Sequence, residues 1–110
     1  MSFDFDLDTS VDDCPVEFAV RIIGGKWKPV LLFHLMMGAK RYSELQRLVS
    51  RASDRMLTRS LRELEADGLV HREVFPEVPV RVEYSLTHDG ETLYPILAEM
   101  SRWGTRRQKA

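Results

Sequence analysis

Apolar residues return along this chain in two rhythms, and the change between them falls after Gly68. Up to that point they recur every three or four positions, as on one face of a helix. The first such helix begins at "CPVE". Cys14 takes the N-cap position, Pro15 sits in a first turn that needs no N–H, and Glu17 lies at the favourable end of the dipole. The pair Gly24-Gly25 stops it. A second helix has Pro29 in its first turn and Gly38 as its cap. Its Val30, Leu31, Leu32, Phe33, Leu35, Met36 and Met37 cover nearly every side, which predicts a central, buried element. A short helix follows at "YSELQRLV", opened by Ser43, with Leu45, Leu48 and Val49 facing inward. Then comes "SDRMLTRSLRELE", capped by Ser53 or Asp54 and closed by Gly68.

Beyond Gly68 the stretches "LVHREVF" and "RVEYSL" alternate apolar and polar residues, as half-buried strands do. The intervening "PEVPV" holds two prolines, which disfavour a two-residue turn and predict a longer, stiff loop. Thr87 caps a last helix through about Trp103, in which Pro95 predicts a kink. Leu93, Ile96, Leu97, Met100 and Trp103 form a stripe too large for so small a domain to bury alone. The pattern is that of a mainly α protein with a small β-hairpin, in the order helix, helix, helix, helix, hairpin, helix. Residues 1–13 read as an acidic arm, 14–104 as the folded domain, and 105–110 as a basic, solvated tail.

The quoted "SDRMLTRSLRELE" carries the most chemistry. On a helical wheel Leu57, Leu61 and Leu64 fall within roughly 60° of one another, and Arg55, Arg59 and Arg62 within roughly 60° on nearly the opposite side. One face is anchored and the other presents three guanidinium forks. An Arg/Leu helix of this kind is most often just a solvated amphipathic helix. Three features point elsewhere. A short helix and compact turn precede it, as in a helix-turn-helix. Its arginines occupy the first two-thirds, while Glu63, Glu65 and Asp67 hold the end. That polarity suits a helix whose N-terminal part enters the major groove. Finally, a hairpin carrying Arg72 and Arg81 follows directly, a candidate wing. The candidate DNA-contacting set is Ser53, Arg55, Met56, Thr58, Arg59 and Arg62 from the helix, with Ser60 flanking, and Arg81 from the wing to backbone or minor groove.

Charge sharpens this picture. The formal net charge of −1 argues against a polyanionic partner, but the signs are segregated. Residues 1–20 hold six acids and no base; residues 21–62 hold ten bases against Glu44 and Asp54. A phosphate backbone meets the local field, not the sum. The acidic start lacks the features of a signal peptide, and a single cysteine excludes an intrachain disulfide, so a cytoplasmic, nucleoid-associated protein is expected. His34, His71 and His88 lack metal-ligand spacing, and no glycine-rich phosphate loop or nucleophile elbow occurs, so neither a metal, a cofactor nor an enzyme is expected.

In order and spacing, "CPVE", "IGGKW", "YSEL", "MLTRSLRELEADGLV", "PEVPVRVEYSLT" and the closing "WG" resemble the HxlR family of bacterial winged helix-turn-helix regulators, over about residues 14–104. "LTHDG" departs slightly from the usual opening of the last helix. The resemblance implies a MarR-like winged helix-turn-helix homodimer joined through its terminal helices, with the fourth helix as the reader of double-stranded DNA and the hairpin as wing. Two such helices in successive major grooves predict a near-palindromic operator, and repression is the expected outcome. It also implies a candidate redox role for Cys14, since some members sense oxidants or electrophiles at this motif. A helix N-terminus favours a thiolate, whereas Asp12, Asp13 and Glu17 oppose one, so a packed or capping thiol remains the other reading. The interface between terminal helices is a further candidate site for a small effector. The competing functional class is a winged-helix module that docks an acidic protein partner and binds no DNA.

Overall fold

The computed structural model describes residues 14–110; the acidic arm lies outside them. The helices are α1 (Pro15–Ile23), α2 (Lys28–Leu35), α3 (Tyr42–Leu48), α4 (Asp54–Ala66), α5 (His88–Glu91) and α6 (Tyr94–Gln108), with strands β1 (Lys40–Arg41), β2 (Val70–Phe75) and β3 (Arg81–Leu86). Among the described residues no helix is long and apolar enough to cross a membrane.

Local chemistry sets most boundaries. Cys14 caps α1 in extended conformation, and its carbonyl accepts the Phe18 N–H at 3.0 Å. Ser53 Oγ caps α4 by accepting the Met56 N–H at 3.2 Å. At the far end of α4, Gly68 adopts a positive φ of 74°, which a glycine tolerates freely. Its N–H reaches the Glu65 carbonyl and the Leu69 N–H the Leu64 carbonyl, both at 3.0 Å, the paired bonds of a Schellman stop. Leu69, just beyond, turns into the core.

Several expectations change. Arg41, not Ser43, precedes α3: its backbone N–H donates to Glu44 Oε1 at 3.0 Å, and the helix opens one residue earlier. Within α3, Leu45 is buried, with Val49 just after it, while Leu48 faces solvent. The central helix α2 ends a turn before Gly38 and buries only Leu31, Leu32 and Leu35; Val30 and Met37 are exposed. The expected last helix is two. Thr87 Oγ1 caps α5, accepting the Gly90 N–H at 3.0 Å, and Pro95 opens α6 rather than kinking a continuous rod. A first turn is where proline's missing N–H is harmless. The helix α6 then runs past Trp103, so Arg106 and Arg107 of the expected tail lie in its last turn, where cations suit the dipole.

The sheet is antiparallel in the order β1-β3-β2. Strand β2 pairs with β3 from Val70↔Leu86 to Phe75↔Arg81, and β1 covers the other edge of β3 through Lys40↔Tyr84 and Arg41↔Glu83. The core gathers Leu31, Leu32 and Leu35 of α2, Leu45 of α3, Leu57, Leu61 and Leu64 of α4, then Val70, Tyr84 and Leu97. By contrast α1 buries no residue and α6 only Leu97; Val16, Phe18, Val20, Ile96, Met100 and Trp103 are more than half exposed.

Each buried leucine of α4 contributes about 1.5–3 kcal/mol of transfer free energy. Leu61→Ala is expected to cost about 2–5 kcal/mol in urea unfolding, because it adds a cavity to the lost transfer term. A cost under about 1 kcal/mol contradicts a core packed on this face.

Candidate nucleic-acid interface

The helix α4 rises about 20 Å over its length, long enough to lie along a major groove. Its leucines have at most 1% of their surface exposed, while Arg55, Met56, Arg59 and Arg62 face solvent on the other side. The wheel therefore describes the helix as it sits in the fold. Arg55 and Arg62 form no ion pair among the described residues. Arg59, 81% exposed at its side chain, places Nε 3.3 Å from Glu63 Oε1.

Two hydroxyls of the expected set are engaged within the fold. Ser53 Oγ is engaged in the cap. Thr58 is half-buried, with Oγ1 3.4 Å from Tyr42 Oη of α3. Asp54 joins the same junction: its Oδ1 accepts from Gln46 Nε2 at 2.5 Å and from Tyr42 Oη at 3.3 Å. These bonds fasten α3 to the first turns of α4 and fix the angle at which the arginine face leaves the surface. Nothing in the periodicity pointed to Tyr42 and Gln46, because their partners lie across a turn.

A second tie runs from α2. Lys28 Nζ lies 2.6 Å from Glu63 Oε2, with the lysine side chain 14% exposed. The hydrogen bond and charge of Lys28, then those of Arg59, hold the Glu63 carboxyl below the usual carboxylate range.

The wing corrects one expectation. Arg81 does not extend outward. Its Nη2 lies 3.0 Å from Glu77 Oε1, its Nη1 bonds Glu83, and its guanidinium stacks 3.8 Å over the Phe75 ring. Both forks are occupied and the charge is answered inside the hairpin. Arg81 braces the wing, and Arg72, exposed on β2 opposite Tyr84, is the wing's outward cation. Arg41, Arg47 and Arg51 add exposed positive charge along α3 and its flanks.

Cys14 is half-buried at the start of α1, its thiol making no cap bond. A groove of about 380 Å³ runs between α2 and α6, lined by apolar side chains that include Val30, Phe33, Leu97 and Met100.

A buried-face helix presented after a short helix and turn, with a three-stranded wing behind it, defines the winged helix-turn-helix class. The model of the family described as HxlR-like helix-turn-helix matches residues 22–110, and the chain belongs to that family of transcriptional regulators. It is 55% identical over 93 residues to YybR, an uncharacterised HTH-type transcriptional regulator of Bacillus subtilis (strain 168), covering 84% of this chain and 74% of that protein. Its fold is similar to the redox regulator HypR in its oxidised form, at 55% identity and a TM-score of 0.81, over 84% of this chain and 96% of that one. The reduced form of the regulator YodB from B. subtilis is similar at 37% identity and a TM-score of 0.71, over 82% and 89%.

The Lys28–Glu63 tie gives a signed pH prediction. Glu63 titrates lower in the folded chain than in the unfolded one, so its contribution is complete above the ordinary carboxylate range and disappears as pH falls through the folded value. Thermal unfolding of the wild type and Glu63→Gln is expected to differ at neutral pH and to converge in acid. A gap that widens in acid contradicts the tie.

Proposed function

We propose that two copies of this chain join and set their α4 helices in successive major grooves of a near-palindromic operator, about 34 Å apart, in the bacterial cytoplasm. The reading rests on one observation: the arginine face of α4 is exposed and its leucine face is core. Arg55, Arg59 and Arg62 supply base-edge and phosphate contacts, with Met56 offering an apolar surface beside them. The exposed apolar faces of α1 and α6, and the groove beside α6, support association of two chains. Occupying the operator, such a dimer represses transcription. A protein-docking reading without DNA has no comparable support.

The similarity to HypR and YodB supports a redox input, for which Cys14 is the candidate residue, since its thiol is partly accessible and free of a cap bond. An oxidant such as diamide, taking up two hydrogens as the Cys14 thiols of two chains join in a disulfide, changes the start of α1 on the proposed dimer surface, and so the spacing of the two reading helices.

Arg55→Ala or Arg59→Ala is expected to weaken operator binding by about 1–3 kcal/mol where the arginine contacts a base. A phosphate contact instead lowers affinity for every duplex and flattens the salt dependence by about 0.9. Unchanged affinity of both variants for operator and random duplex, titrated over a salt series, removes α4 from the reading role. For Cys14, wild type is expected to lose operator affinity on treatment with diamide while Cys14→Ser keeps it. Equal loss in both proteins takes the role away from Cys14.

A further inference from the structure

Three guanidinium groups share the outer face of α4, yet one of them is held differently. The contrast with Arg81 shows what matters. At Arg81 a carboxylate engages each terminal nitrogen and the side chain is only 24% exposed, so the fork offers little to a ligand. At Arg59 the carboxylate of Glu63 takes Nε, at 3.3 Å, and leaves the Nη1 and Nη2 edge of the fork open. That open edge is the one that grips a guanine through O6 and N7 in a bidentate pair.

The carboxylate is itself anchored. Its other oxygen lies 2.6 Å from Lys28 Nζ, and the lysine is mostly buried where α2 begins. An isolated arginine–glutamate pair one turn apart on a helix surface fluctuates and adds little to stability. Here the anchor belongs to a different element, so the Glu63 carboxylate is tied to the body of the fold as well as to its own helix. Arg55 and Arg62 have no such tether among the described residues, and compliant side chains suit phosphates at variable positions.

We propose that Glu63 is a specificity-determining positioning residue: fixed by Lys28, it aims the Arg59 fork along one direction from α4 and denies that side chain to the phosphate backbone. This inference rests on the reading of α4 as the DNA-contacting helix. Two effects act together. A guanidinium aimed in advance gives up less side-chain freedom on meeting its base. The carboxylate's negative charge also penalises any complex in which Arg59 turns toward phosphate, as it does on random sequence.

The test compares wild type, Glu63→Gln, Arg59→Ala and the double variant on an operator duplex selected from a random pool and on a random duplex, across a salt series. Glu63→Gln is expected to bind random duplex more tightly, with a salt dependence steeper by about 0.9 as Arg59 gains a phosphate. Operator affinity is not expected to rise in step, so discrimination falls about threefold or more, the scale of coupling between contacting residues. In the Arg59→Ala background the same substitution is expected to change discrimination no further. Glu63→Met, similar in length but unable to accept a hydrogen bond, gives the same loss, and its melting curve shows whether the fold is intact. If Arg59→Ala loses discrimination while Glu63→Gln retains it, the positioning role is overturned and the reading of α4 stands. An equal effect of Glu63→Gln with and without Arg59 also overturns it. If Arg59→Ala itself keeps full discrimination, the base contact at Arg59 fails, and the positioning role fails with it.

Discussion

The burial of Leu57, Leu61 and Leu64 in the core that α4 shares with α2 and β2 is the constraint on which the rest of the structure depends. An α-helix has no freedom to turn one side inward without turning the opposite side outward. Once those leucines are taken from water, the orientation of Arg55, Arg59 and Arg62 follows. The ties from Tyr42, Gln46 and Lys28 then set pitch and height, which hydrophobic contact alone leaves loose because it is non-directional.

Electrostatics divides the molecule in the same way. Near-neutral net charge coexists with a strongly basic middle because the acids are spent elsewhere: in the N-terminal stretch, at the end of α4, and in the wing. Glu73, Glu77 and Glu83 outnumber Arg72 and Arg81 in the hairpin, so the wing adds little positive field. Arg55, Arg59 and Arg62 on α4 and Arg41, Arg47 and Arg51 around α3 are exposed cations lying close together in the chain.

Helix positions were legible because each carried a chemical signature: Pro15 and Pro29 at starts, Ser53 and Thr87 as caps, Gly24 and Gly68 at stops. The two-residue strand β1 was not, since two residues cannot show an alternation and its pairing partner is more than forty positions away. Pro95 was legible as an interruption but not as a beginning; it has no N–H to bond the Glu91 carbonyl, and α5 ends in the short bonds from Thr92 N–H to Asp89 and from Leu93 N–H to Gly90. The candidate site was legible where a single helix carries it. It failed where partners come from other elements. Arg81 and Glu83 lie two apart on one strand face, a pairing the alternation contained, but Glu77 joins them only because the hairpin loop folds back. Thr58 belongs to the expected DNA-contacting set, yet it is half-buried with its hydroxyl against Tyr42 of α3.

The most direct measurement follows the arginine Nε–Hε signals of the protein by nuclear magnetic resonance as a DNA duplex is added. The signals of Arg55, Arg59 and Arg62 are expected to shift or broaden first, with Arg81, held between two carboxylates, nearly still. Movement confined to Arg81, Arg102, Arg106 and Arg107, with the α4 signals unchanged at saturation, would show that DNA meets another surface and that the outward side of α4 serves only solvent.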